Sequence, residues 1–221
     1  MKNLHVHIGF PRTATKTLQL KLFKKHSDLN YLGRYPDRAI SHNLVIEEIL
    51  GYDDDKFIKN LDKLSRQIKN LPLSLNKVNL ISDEFFLLNH LLKQSISIKD
   101  SIQRLNTLCK INNINLKIIY SVRNQTDIIR SLFTVTFLTS LKTDCEKIIS
   151  EISGLKTDTY TLNFLRGFDY NQLHNTLLEI VGKDNLSLIF YEKLVINKDR
   201  YYEELSDLLG LSNSETSLKF S

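Results

Sequence analysis

Five side chains able to donate to or neutralise an anion fall within one short stretch. They are Arg12, Thr13, Thr15, Lys16 and Thr17, within His7-Ile8-Gly9-Phe10-Pro11-Arg12-Thr13-Ala14-Thr15-Lys16-Thr17-Leu18-Gln19. The stretch begins as an apolar run that reads as a strand and leads into Leu18, Leu22 and Phe23 at helical spacing. Where a strand hands over to a helix, free backbone N–H groups and the positive end of the helix dipole converge, and a phosphate finds both donors and favourable potential. A Walker A loop, G-x-x-x-x-G-K-[S/T], placed on Gly9 requires Gly at 14 and Lys at 15, where Ala14 and Thr15 stand. The methyl group of Ala14 is expected to deny the loop a glycine conformation and to narrow the approach to a phosphate. The plainer reading of the same residues is a threonine-rich cap on an amphipathic helix.

A second station follows a later apolar run, in Tyr120-Ser121-Val122-Arg123-Asn124-Gln125-Thr126-Asp127-Ile128-Ile129-Arg130-Ser131. An arginine leaving a strand, followed by a helix whose second turn offers a serine, can grip one phosphate from two sides, with the guanidinium fork on one and the hydroxyl on the other. Asp127 reads as a first-turn acid complementing the helix dipole.

The first segment resembles the 5′-phosphosulfate loop of the sulfotransferases that use 3′-phosphoadenosine 5′-phosphosulfate (PAPS), written P-[K/R]-[S/T]-G-T-[T/S]. Pro11, Arg12, Thr13 and Thr15 match it, and Ala14 and Lys16 depart from it. The second segment is similar to that family's 3′-phosphate motif, whose arginine and serine lie eight residues apart, the spacing of Arg123 and Ser131. A third likeness is Leu188-Ile189-Phe190-Tyr191-Glu192-Lys193-Leu194 before a helix ending Leu208-Leu209-Gly210-Leu211. It reads as scaffold, with Glu192 capping or orienting a helix.

The resemblance, to bacterial-type members, implies transfer of a sulfuryl group from PAPS to an acceptor hydroxyl, with no metal. Arg12 and Lys16 would stabilise the transferred group, Arg12, Thr13, Ala14, Thr15, Lys16 and Thr17 would line the 5′-phosphate, and Arg123 with Ser131 would hold the 3′-phosphate. The family places a His or Glu base at the end of a neighbouring strand. Here that strand ends Leu80-Ile81-Ser82-Asp83-Glu84-Phe85-Phe86, which makes Glu84 the expected base and Asp83 its alternate, with Phe85 and Phe86 desolvating the carboxylate. The resemblance leaves the acceptor open, a carbohydrate, lipid-linked or small-molecule hydroxyl all being compatible with it. No tryptophan is present to stack on adenine. The rival readings are a P-loop nucleotide kinase or NTPase, and an inactive nucleotide-binding relative.

The elements that must position these residues are legible as alternating units. Apolar runs at 4–9, 78–82, 116–122 and 186–191 read as buried strands, and residues 15–25, 37–50, 53–70, 99–113, 127–141 and 198–209 read as helices. Strands alternating with helices predict a three-layer αβα domain with a central parallel sheet, resembling the P-loop-NTPase-like sulfotransferase architecture. No linker breaks the chain, so residues 1–221 read as one domain. Residues 142–169 lack a clear period and read as a lid or substrate loop, or as an ordinary surface excursion. His5 and His7 lie on one face of the first strand, with His7 near enough to the loop to support it from behind. His26, His42, His90 and His174 have no partner spacing.

Composition bounds the remaining possibilities. The chain has 221 residues, 42% of them hydrophobic and 25% charged, which suits a globular domain that folds without disulfides or a structural metal. Cys109 and Cys145 stand in no paired spacing, which fits a reducing, cytoplasmic setting. The excess of five positive charges suits an anionic ligand. No apolar run is long enough for a membrane span, residue 1 reads as mature sequence, and neither a nucleic-acid-binding stripe nor a G-x-S-x-G elbow is present.

Overall fold

A computed structural model of the chain describes residues 2–10, 12–33, 41–84, 86–87, 96–132 and 168–212. The elements over those residues are β1 (Lys2–Gly9), α1 (Thr15–Thr17, continuing as a π-helical turn over Leu18–Phe23), β2 (Leu29–Tyr31), α2 (Ser41–Gly51), α3 (Asp54–Lys59), α4 (Leu61–Lys69) and β3 (Val78–Ser82). They continue with α5 (Ile98–Ile111), β4 (Ile114–Val122), α6 (Gln125–Leu132), α7 (Tyr170–Val181), β5 (Leu186–Phe190), α8 (Tyr191–Ile196) and α9 (Lys198–Leu209).

The strands form one parallel sheet in the order β2-β3-β1-β4-β5. The predicted αβα layering with a central parallel sheet is therefore the architecture, with one strand more than the sequence signals. β2 is three residues at the sheet edge, paired on one side with β3, and is too short to show a period.

Alternation along β1 divides the core. Leu4, Val6 and Ile8 enter a large cluster with α2, α4, α5 and α7, while His5 and His7 point to the other face. That other face is covered by α1 and α9, through Leu18, Leu22, Phe23, Tyr201, Leu205 and Leu209 packed on Leu80, Ile119 and Ile189. The helix after β1 thus lies on one face, and the described helices that follow its neighbours β3 and β4 lie mainly on the other. A crevice at the carboxyl end of β1 is the geometric consequence.

The helices start and stop as their termini dictate. Asp53, Ser97, Asp169 and Asn197 each accept a first-turn backbone N–H at the starts of α3, α5, α7 and α9, and α9 ends on Gly210 at φ 71°. No side chain caps α1 at Ala14. No helix among the described residues is long and apolar enough to cross a membrane.

Candidate anion site at the carboxyl end of the sheet

Register brings the candidate residues together. His7 pairs with Ser82 of β3, and Gly9 with Ser121 of β4. The chain therefore leaves three adjacent strands as Gly9 into the loop, Ser82 into Asp83-Glu84, and Ser121 into Val122-Arg123. The loop is pinned at its root, where Phe10 N donates to Ser121 O at 3.3 Å and the Phe10 ring packs on Phe168 and Tyr170, with centroids 5.5 and 5.2 Å away.

Within the loop, Arg12 and Ala14 sit at φ 72° and φ 62°, in the left-handed region that L-residues enter at a cost of roughly 1–2 kcal/mol each. The expectation that Ala14 denies the loop a glycine conformation is corrected by this geometry: the backbone adopts that conformation and carries the strain. The turns point the hydroxyls of Thr13 and Thr15 inward. Both residues are buried, Thr13 Oγ1 donates to Phe10 O at 2.6 Å, and the two hydroxyls lie 3.3 Å apart above Gly9. Gly9 is needed there, because a Cβ would stand 2.4 Å from Thr15 Oγ1 and 2.8 Å from Thr13 Oγ1. Arg12, Lys16 and Thr17 are exposed, and Pro11 lies outside the described residues.

The two stations touch. Arg12 Nε donates to Ser131 Oγ at 2.8 Å, and Arg123 Nη1 donates to the carbonyl of Arg12 at 3.1 Å. Arg123 lies over the ring of Tyr191 at 4.7 Å, and its own carbonyl accepts from Tyr170 Oη at 2.6 Å. Its Nε is buried with no hydrogen-bond partner among the described residues. Asn124 caps α6 by accepting from the amides of Thr126 and Asp127, and its own N–H donates to Glu192 Oε1 at 2.6 Å. Glu192 therefore orients a helix terminus, that of α6, and Asp127 sits in the first turn of that helix.

Glu84 follows β3 and is half-exposed, Asp83 is buried with its N–H on His7 O at 3.0 Å, and Phe86 is fully buried in the larger core. Phe85 and residues 142–167 lie outside the described residues. The groove between α3 and α5 is separate from the site, its Arg104 committed to the carbonyls of Ile49 and Tyr52 and to Asp54.

No protein-family model matches the sequence, and no curated protein is significantly similar to it. The structure is similar to that of a sulfotransferase from Alicyclobacillus acidocaldarius, with a TM-score of 0.60 and 16% identity over 100% of this chain and 87% of that one. It is also similar to the sulfotransferase domain from the curacin biosynthetic pathway, with a TM-score of 0.54 and 15% identity over 98% of this chain and 76% of that one. The chain has the sulfotransferase fold.

Within this sulfotransferase fold, sequence reasoning passes over several residues that hold the site. Tyr191 carries the Arg123 guanidinium, and it stands in the third sulfotransferase likeness, where a strand-end aromatic next to an acid was the available signal. Gln19, turned inward by the π-helical segment, donates from Nε2 to Ser82 O and Oγ at 3.0 and 3.2 Å. Tyr170 offered no local signal, since it reaches Arg123 from a helix 47 residues away.

Proposed function

We propose that this chain is a PAPS-dependent sulfotransferase that transfers a sulfuryl group to an acceptor hydroxyl, with a carbohydrate among the acceptors. The observation supporting the proposal is the contact of Arg12 with both Arg123 and Ser131, which brings the loop after β1 and the segment after β4 side by side. A nucleotide phosphorylated at both its 5′ and 3′ positions matches two adjoining anion stations. The residues present fit such a ligand: an orphaned buried Nε on Arg123, an uncapped helix start at Ala14, and exposed Arg12 and Lys16 beside it.

When bound, PAPS supplies an activated sulfuryl group on its 5′-phosphate. The amides opening α1 and the Thr17 hydroxyl hold that phosphate, while Thr13 and Thr15 keep the turn in shape with their inward hydroxyls. Ala14 would line that phosphate through its backbone. Arg12 and Lys16 neutralise charge gathering on the oxygen that leaves, the work a metal ion does in kinases. Arg123 and Ser131 hold the 3′-phosphate, with Tyr191 and Tyr170 fixing the arginine. Glu84, two residues past the end of the neighbouring strand β3, takes the proton of the acceptor hydroxyl.

The test has two stages. Thermal shifts with adenosine 3′,5′-bisphosphate and with ATP plus Mg²⁺ separate this reading from a kinase, since only the bisphosphate is expected to stabilise the chain. Radiolabelled sulfate from PAPS is then followed onto a panel of hydroxyl acceptors, with Glu84→Gln abolishing transfer while bisphosphate binding persists. Stabilisation by ATP plus Mg²⁺ alone overturns the proposal. Bisphosphate binding without transfer to any acceptor identifies a nucleotide-binding module instead, and undiminished transfer by Glu84→Gln removes the base.

A further inference from the structure

A buried polar network lies directly beneath the anion loop, and no step of the proposed reaction uses its central member. His7 is fully buried, with Nδ1 2.8 Å from Ser82 Oγ on β3 and Nε2 2.8 Å from Ser121 Oγ on β4. Its ring meets Phe23 edge-on at 5.5 Å, so α1 closes over it. Burial holds its pKa down to about 4, and the ring is neutral, with one N–H and one acceptor nitrogen. Gln19 Nε2 donates to Ser82 Oγ, so the run Gln19–Ser82–His7–Ser121 is continuous and both ring nitrogens of His7 are hydrogen-bonded.

The two arms of His7 end at equivalent places. Ser82 precedes Glu84 by two residues, and Ser121 precedes Arg123 by two. Hydrophobic packing holds the sheet together but is non-directional, whereas hydrogen bonds restrict distance and angle. A ring bonded to a serine on each flanking strand restricts the lateral spread of three strand ends at once. A neutral histidine with both ring nitrogens committed to serine hydroxyls has none left for a substrate, which leaves geometry as its contribution.

We infer that His7 is a positioning residue whose Ser82 arm sets the placement of Glu84 and whose Ser121 arm sets the placement of Arg123. The inference rests on the reading of the site given under Proposed function. Each arm can be cut separately. Ser82→Ala is expected to lower kcat for sulfuryl transfer on the order of tenfold, with the bisphosphate Kd staying within about twofold of wild type. Ser121→Ala is expected to raise that Kd roughly tenfold. Both variants lose thermal stability to a similar degree, so a merely structural network would lower Tm without dividing the kinetic and binding effects.

Should Ser121→Ala fail to fold, the nearly isosteric Ser121→Cys, a weaker hydrogen-bonding partner, carries the same expectation. Equal effects of the two cuts on kcat and Kd, or a fall in Tm alone, overturn the inference. Failure of the wild-type chain to bind the bisphosphate overturns the functional reading together with it, while binding and turnover without the divided effect overturn the inference alone.

Discussion

Ser131 Oγ accepts from Arg12 Nε at 2.8 Å across 119 residues of sequence, so the loop after the first strand and the second turn of α6 close directly on each other. The bond is exposed, and water can replace either partner, which limits its net contribution to folding.

Ser131→Ala is accordingly expected to cost about 1 kcal/mol or less in stability while weakening adenosine 3′,5′-bisphosphate roughly tenfold. Isothermal titration and urea unfolding measure the two effects. A Kd within about twofold of wild type would take Ser131 out of the site.

Gly9→Ala places a Cβ against the inward hydroxyls of Thr15 and Thr13, at 2.4 and 2.8 Å. Thr13 is held by the carbonyl of Phe10, so the loop has to move as a unit. The expected cost is about 1–3 kcal/mol by urea unfolding, accompanied by lost bisphosphate binding. Unchanged stability would show that the loop yields freely.

Ala14→Gly acts in the opposite direction. The left-handed conformation at φ 62° penalises alanine by roughly 1–2 kcal/mol, and glycine removes that penalty but gains about 0.4–1 kcal/mol of freedom in the unfolded chain. The expected balance is a stabilisation of about 0.5 kcal/mol with tighter bisphosphate binding. A loss of stability in urea would mean that the methyl group contributes packing that outweighs the strain.

His5 and His7 make the fold sensitive to mild acid. Burial holds both pKa values down to about 4 from 6.5, with the nearby Lys117 charge adding to the effect at His5. Between these values the unfolded chain binds more protons than the folded one, so this contribution is fully present above pH 6.5 and is lost progressively as pH falls toward 4. Shifts of this size are worth on the order of 3 kcal/mol per residue. Urea midpoints recorded at about pH 7, 6 and 5 should fall steadily, and a flat profile over that span would contradict the buried, neutral rings.

The sequence made the anion loop visible because its signal is local: a strand run, a cluster of donors, and helical spacing beginning at Leu18. It did not make β2 visible, since Leu29-Asn30-Tyr31 is an edge strand shorter than a readable period. Nor did it show that Gln19 turns into the core, which depends on the π-helical turn that rotates it away from the spacing of an ordinary helix.

By itself, then, the chain's order of residues determined the alternation of strands and helices, the chemistry available at each strand end, and the opposed faces of β1, since all of these depend on neighbours within a few positions. Tertiary structure alone decided that β1 lies between β3 and β4, that Arg12 meets both Arg123 and Ser131, and that Tyr191 lies under the guanidinium. Those relationships arise from register and packing between segments as many as 119 residues apart, which no local pattern encodes. The inward turn of Thr13 and Thr15 belongs with them: the left-handed backbone at Arg12 and Ala14 accompanies hydroxyls turned onto the Phe10 carbonyl and each other, which the sequence alone does not show.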